Sequence, residues 1–401
     1  MVSPLAGTKI LDFSRILAGP FCTMLLGDLG AEIWKVERPV LGDDTRSWQP
    51  PLVNGQSCYF LCVNRNKKSL VVDIKRGQGV SLVRQLAARA DIVVENFKPG
   101  AMQKLALDYA SLSSINPALI YCSITGYGQD GPWSRRGGYD VIAEAIGGFL
   151  HITGPMDGEP CKAGVAVVDM MTGLYAQGAI LTALLDRAQT GKGQFIDCNL
   201  LSTQIATLIN VGSNYLNAKV PGRRWGTAHE SIVPYQAFRT SDNRWMVVGA
   251  GNDSQFAQFC RLAGLERLLG DSRFNSNALR VENRTLLLGI IQNRFSQHSL
   301  MEWSAVFDNS DLPCGPVNTI EEAFDHPQVA HSGIVQEMKH ATAGDIRLTG
   351  PAVKFSRSRN CVRSSPPLLG EHTEQILRQE LQLSNQELEV LCKKGVIQSH
   401  L

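Results

Sequence analysis

Three glycines, Gly126, Gly128 and Gly131 in YCSITGYGQDGP, spell G-x-G-x-x-G behind an apolar, strand-like run. At a strand-to-helix turn that spacing lets backbone N–H groups meet a pyrophosphate. Here Gly131 is followed by Pro132, Trp133, Ser134, two arginines and two more glycines. No clear second strand ending in an acidic residue follows about twenty residues on, where a ribose partner belongs. The dinucleotide reading is rejected. The stretch reads as a long flexible loop, either a surface turn or a cover over a ligand.

Asp169, in VVDMMTG, stands just ahead of a helical run. An aspartate there most often caps the helix by accepting backbone N–H bonds. The same helix end stabilises a carboxylate by roughly 0.3–1 kcal/mol, so the position also suits an anionic nucleophile. From the residues alone the cap is favoured. No metal site is expected, because the eight histidines and ten cysteines lack ligand spacing. Scattered thiols of this kind fit a reducing compartment.

The elements that must position these residues alternate. KILDF reads as a strand, FCTMLLGDLG as a helix with Pro20 in its first turn and Gly30 at its end, and AEIWKVE as a second strand. SLVVDI, GQGVSLVRQLAARA and DIVVENF repeat the pattern, as do YASLSSINPALIYCSIT and FIDCNL. Helices are expected through VIAEAIGGFL and from about Met170 to Arg187, ending at Gly191. Buried strands separated by helices predict an α/β fold with a parallel sheet and crossover helices. Near Val220 the texture changes to a hairpin, YQAFRT-SDN-RWMVVGAG, and further helices. We therefore expect a large Rossmann-like domain over 1–218 and 326–401 and a smaller α+β domain over 219–325. A C-terminal helix in PPLLGEHTEQILRQELQ is expected to return to the large domain.

With 401 residues, more than one lobe is expected. A formal net charge of +2 gives no reason to expect nucleic acid as a partner. Apolar stretches such as GAILTALL from Gly178 fall short of the ~20 residues of a membrane span. KILDF begins at Lys9, which leaves no room for a leader.

Ordered motifs along nearly the whole chain resemble the class III CoA-transferases, of the formyl-CoA transferase and carnitine CoA-transferase type. They include LAGTKILDFSRILAGPFCTMLLGDLGAEIWKVERP, NRNKKSL, ENFKPGA, SITGYGQDGP, GGYD, VVDMMTGLYA, TGKGQFIDCNLL, CGPV and PPLLGEHT. The resemblance implies a Rossmann-like large domain, a small domain and two ring-like subunits interlocked as a homodimer. It makes Asp169 the nucleophile, carrying first an acyl anhydride and then a CoA thioester. No permanently bound cofactor is implied; CoA thioesters are substrates. Asp169 is expected to be ionised at neutral pH, since a free aspartate has a pKa of ~3.9.

By motif, CoA contacts fall on Ile16, Leu17, Ala18, Arg38, Val72, Lys75, Asn96, Phe97, Lys98, Lys104 and Tyr139. Trp48 and Tyr59 resemble acyl-site aromatics. Gly126 and Gly128 become part of a pliable cover whose N–H groups could meet developing oxyanions. The RRWGTAHESIVPYQAF stretch makes Arg224 and His229 candidates for the distal carboxylate of an acid substrate. It also points to succinyl-CoA as donor and glutarate or a related dicarboxylate as acceptor. An α-methylacyl-CoA racemase of the same fold is the alternative, although GGYD carries Tyr139 where racemases of the family have a histidine. A non-catalytic CoA-binding protein, which would not need Asp169, is the other. The resemblance implies a mitochondrial matrix setting in a eukaryote and a cytoplasmic one in a bacterium.

Overall fold

The computed structural model describes residues 3–400. The chain divides into two compact units. One comprises Met1–Phe149, Ala163–Ala218 and His331–Leu401, the other Leu150–Lys162 and Lys219–Ala330.

The first unit is built on a seven-stranded sheet. Its strands are β1 (Lys9–Asp12), β2 (Glu32–Glu37), β3 (Lys67–Val72), β4 (Ile92–Glu95), β5 (Ile120–Thr125), β6 (Phe195–Asn199) and a C-terminal strand, Ile397–Gln398. Spatial order is C-terminal strand, β3, β2, β1, β4, β5, β6. All neighbours pair in parallel except the C-terminal strand, which runs antiparallel to β3. The expected parallel sheet thus acquires one antiparallel edge. Successive strand residues serve opposite faces. Leu11, Trp34, Leu70 and Val93 enter one apolar cluster, while Ile10, Ile33 and Ile92 enter another.

Helix α1 (Ala18–Asp28) and helix α2 (Gly77–Ala87) follow β1 and β3. Leu26 of α1 packs on one sheet face, and Leu82, Val83 and Leu86 of α2 pack on the other. Pro20 lies in the first turn of α1, and Gly30 just past its end adopts φ 110°, where a glycine avoids the left-handed penalty. Helix α3 (Asp140–Ile146) is shorter than VIAEAIGGFL predicts. It stops at Gly147, and Gly148 takes φ 82°.

Helix α4 (Val167–Thr190) carries the VVDMMTG motif and packs on α1, β5 and β6. It is also longer than the apolar run at Gly178 implied. With a mean hydropathy of 1.3 over an 18-residue window, it is long and apolar enough by composition to cross a membrane. The reason is that small and uncharged residues extend the apolar run towards the N-terminus, whereas Asp186 and Arg187 end it on the other side. Helix α5 (Leu200–Ala206) follows β6. The C-terminal helix Thr373–Leu381 docks on this unit, with Ile376 and Leu377 in the α2-side cluster and the Thr373 hydroxyl accepting the Val71 N–H at 3.0 Å. The PPLL segment before it is not helical.

The second unit contains the expected hairpin, Tyr235–Arg239 with Trp245–Gly249, and a third strand, Cys314–Pro316. Helices Asp253–Leu262, Arg284–Phe295 and Leu300–Phe307 close its aromatic core, where Phe295 stacks on Trp303 at 4.4 Å and on Phe238 at 5.0 Å.

Candidate active site

The chain runs from β1 outward to β2 and β3, then crosses back to β4 on the other side of β1. Such a reversal leaves a crevice at the carboxyl ends of the strands, where open α/β sheets bind ligands. A cavity of about 180 Å³ lies there. Its wall includes Arg15 beyond β1, Arg38 beyond β2, Val72 and Lys75 at β3, and Phe97 beyond β4. Four of the CoA contacts implied by resemblance are therefore brought together. Arg15 was not among them; its guanidinium lies 5.2 Å from the centre of the Phe97 ring.

Asn96 ties the two sides of the reversal. Its Oδ1 accepts the Arg15 N–H at 2.9 Å, and its Nδ2 donates to the Arg15 carbonyl at 2.7 Å. Ile16 sits at φ 72°, a costly conformation for a β-branched residue. The Asp43 carboxylate holds it there by accepting its N–H at 3.2 Å. Asp43 is in turn paired at 2.8 Å with Lys35, both side chains being fully buried. Burial alone would raise the Asp43 carboxyl, but the Lys35 ammonium prevails and holds it well below the usual carboxylate range. Asp12 and Lys67, also fully buried, form a second pair at 3.3 Å. Asp12 accepts the Ser14 hydroxyl and, at 2.6 Å, that of Thr23. Removing one partner of such a pair strands a buried charge, so the first crossover loop has little freedom.

Asp169 occupies the first turn of α4 but does not cap it. The cap is Asp140, the first residue of α3, whose Oδ1 accepts the N–H groups of Val168 at 2.8 Å and Asp169 at 3.0 Å. The Asp169 side chain is left for other work. Burial, and then the Asp140 charge, push its carboxyl up to about 7. That corrects the expectation of a fully ionised group. The helix end opposes the shift by roughly 0.3–1 kcal/mol, too little to offset lost hydration and a neighbouring anion.

One turn along the same face, a Cβ on Gly173 would stand 2.8 Å from the Ala18 carbonyl oxygen. Glycine there lets α4 settle onto the first turn of α1. Ile16, Leu17, Tyr59 and Ala166 share one apolar cluster at this corner. Burial raises the Tyr59 hydroxyl to about 12, with Asp169 the next cause. Trp48 meets Tyr59 edge to face at 4.9 Å, and both line an open hollow with Cys58 and Cys62.

Other implied contacts lie elsewhere. Ala18 is buried, Lys104 and Lys98 are exposed, and Lys98 lines a different cavity. Tyr139 is exposed directly ahead of α3. Gly126 packs against Gly138, where either Cβ would come within 2.8 Å of the other's Cα. Gly128, at φ 92°, donates its N–H to the Thr125 hydroxyl at 2.8 Å, so that N–H is already engaged.

Arg224 and His229 belong to the second unit. The Arg224 guanidinium donates to the His151 carbonyl at 3.0 Å. His229 stacks on Tyr235 at 5.3 Å and accepts the Ser231 N–H through Nδ1. Among the described residues, no cluster of His, Cys, Asp or Glu could hold a metal ion.

A crevice at the strand reversal walled by Arg15, Arg38 and Lys75, with a half-buried aspartate in the first turn of a neighbouring helix, fits an enzyme of acyl-CoA chemistry. Residues 5–373 match the signature of CoA-transferase family III, and the chain belongs to that family. It is 52% identical over 399 residues to the succinyl-CoA:glutarate CoA-transferase of Mus musculus, covering 100% of this chain and 91% of that one. It is 40% identical over 380 residues to the succinate–glutarate CoA-transferase of Agrobacterium fabrum, covering 93% and 95%. The crystal structure of a CAIB/BAIF family protein from Brucella suis superposes with a TM-score of 0.85 at 41% identity, covering 95% of this chain and 100% of that one.

Proposed function

We propose that this enzyme moves CoA from succinyl-CoA to glutarate or a related dicarboxylate through a thioester on Asp169. The observation that carries the reading is the Asp169 carboxyl, uncommitted to the helix cap, short of water and held at about 7. The names of the mouse and Agrobacterium relatives support the choice of acids.

With its carboxyl raised to about 7, Asp169 still supplies an ionised form at neutral pH. The ionised oxygen attacks the succinyl thioester carbonyl and expels CoA as a thiolate, leaving an aspartyl–succinyl anhydride. The thiolate, whose conjugate acid lies near ~8.5, attacks the aspartyl carbonyl, forms the aspartyl-CoA thioester and releases succinate. The incoming acid repeats the two steps in reverse, so two easier exchanges replace one difficult one. Poor hydration favours the carboxylate as nucleophile and protects the anhydride from water.

In this reading Arg38 and Lys75 meet the CoA phosphates, Phe97 lies against the adenine, and Trp48 and Tyr59 flank the acyl group. Arg224 and His229 serve the far carboxylate. An interlocked homodimer would cover apolar side chains left exposed on α3, α4 and α5, among them Ile142, Ile146, Leu174, Leu185 and Ile205. The test is to mix the enzyme with succinyl-CoA alone and weigh its peptides. The peptide containing Asp169 should gain CoA and lose it when glutarate is added. Full exchange without that adduct would overturn the mechanism, and better use of monocarboxylates than glutarate would overturn the substrates.

A further inference from the structure

A second cavity, of about 330 Å³, opens beside the carboxyl end of β4 and the first residues of β5 and β6. Its lining includes Glu95, Lys98, Asp108, Tyr109, Tyr121 and Phe195. The sheet register explains the grouping. Glu95 lies across from Ser123, which lies across from Asp197. Two residues earlier, Tyr121 lies across from Phe195 on the same face. Tyr109 completes an aromatic trio, 6.2 Å from Tyr121 and 5.7 Å from Phe195.

Two polar groups in this cavity are unusual. Glu95 is 5% exposed, and among the described residues no basic side chain forms an ion pair with it. Burial, reinforced by Asp197, pushes its carboxyl up to about 7. Tyr121 is 2% exposed, and its hydroxyl has no hydrogen-bond partner among the described residues. Ser123 and the Phe97 N–H hydrogen-bond to Glu95, yet its buried charge has no counter-charge and the Tyr121 hydroxyl has no partner, which defines what a guest must bring.

We propose that this cavity binds a small organic ammonium ion, its head on Glu95 and the Tyr121 oxygen and its carbon skeleton against the three rings. An anion would meet Glu95, Asp108 and the negative faces of the rings, opposed only by the exposed Lys98. A neutral guest would leave the carboxylate without a counter-charge. An alkylammonium satisfies the carboxylate, gives the hydroxyl oxygen a donor and gains from the aromatic faces. Glu95 also accepts the Phe97 N–H at 2.7 Å, and Phe97 lines the cavity at the strand reversal. The two cavities therefore share one short segment of chain.

The experiment titrates n-butylammonium chloride into the full chain by calorimetry at pH 8, without acyl-CoA. n-Butanol and potassium chloride at matched ionic strength are the controls. Saturable millimolar binding of the ammonium alone is expected, weakened about tenfold or more in Glu95→Gln and in Tyr121→Phe. The second variant keeps its ring, so it decides the matter should the first fail to fold. No saturable binding, equal binding of butanol, or unchanged affinity in Tyr121→Phe would overturn the assignment. Because no turnover is measured, the result is independent of which acids the enzyme exchanges.

Discussion

Asp140 accepts the backbone N–H of Asp169 at 3.0 Å, so one aspartate caps the helix and thereby leaves the other's carboxyl uncommitted. The two acids divide what a single residue would otherwise have to do. Asp140 also contributes a negative charge that helps keep Asp169 partly protonated.

Asp140→Asn keeps an oxygen for the two N–H groups and removes that charge. Asp169 should then ionise at lower pH. The acid limb of kcat/KM, which falls as Asp169 takes up its proton below about 7, should move downward by about half to one pH unit. A profile superposable on that of the parent enzyme would show that the two carboxylates do not sense each other.

Asp169→Asn should abolish exchange while leaving CoA binding intact. It should also raise stability in a pH-dependent manner. The folded-state carboxyl is raised from 3.8 to about 7, so its contribution is fully favourable below the unfolded value and is lost as pH rises through about 7. Urea titrations should therefore give matching midpoints near pH 4 and a gain of about 1–2 kcal/mol for the variant at pH 8.

Asp44 pairs with both Arg15, at 2.7 Å, and Arg38, at 2.5 Å, at the edge of the cavity at the strand reversal. Exposed pairs of this kind are worth about 0–1 kcal/mol each, and they compete with any phosphate for the same guanidinium groups. Asp44→Asn should tighten CoA about threefold at low salt, an advantage that fades at high salt. Arg15→Met should weaken CoA about tenfold, through lost charge and lost cover over Phe97. Equilibrium dialysis at two salt concentrations measures both.

Gly173→Ala places a methyl 2.8 Å from the Ala18 carbonyl oxygen. The contact is with backbone, which cannot swing aside. A loss of about 1–3 kcal/mol is expected, read as a lower melting temperature, together with reduced kcat because the start of α4 is displaced. An unchanged melting temperature would mean that α1 and α4 can slide apart freely.

The strands β1 to β6 and helices α1, α2 and α4 were legible because each is an apolar run of the right length between residues such as Pro20, Gly30 and Gly191 that punctuate the backbone. The Asp140 cap was not legible. It arrives from 28 residues upstream, and nothing in VVDMMTG distinguishes a helix capped from outside from one that caps itself. Arg38 and Lys75 read singly as solvated surface charges; only the family motifs joined them to Phe97, and the strand reversal brings all three to one cavity. Arg15 is not marked by the motifs although it directly precedes Ile16, Leu17 and Ala18, which are. The raised Asp169 carboxyl could not be read from sequence, since burial belongs to the fold rather than to the residue.

The C-terminal strand pairs Ile397 with Val72 and Gln398 with Val71, and the Val396 carbonyl accepts the Asp73 N–H at 2.8 Å. Val72 and Asp73 belong to the wall of the cavity at the strand reversal. That wall is therefore completed by a pairing between segments about 325 positions apart along the chain. Contacts this distant form slowly, because the loop-closure entropy is lost before the pairing stabilises anything. Until it forms, β3 presents an open strand margin that a foreign strand could occupy in place of the C-terminal one.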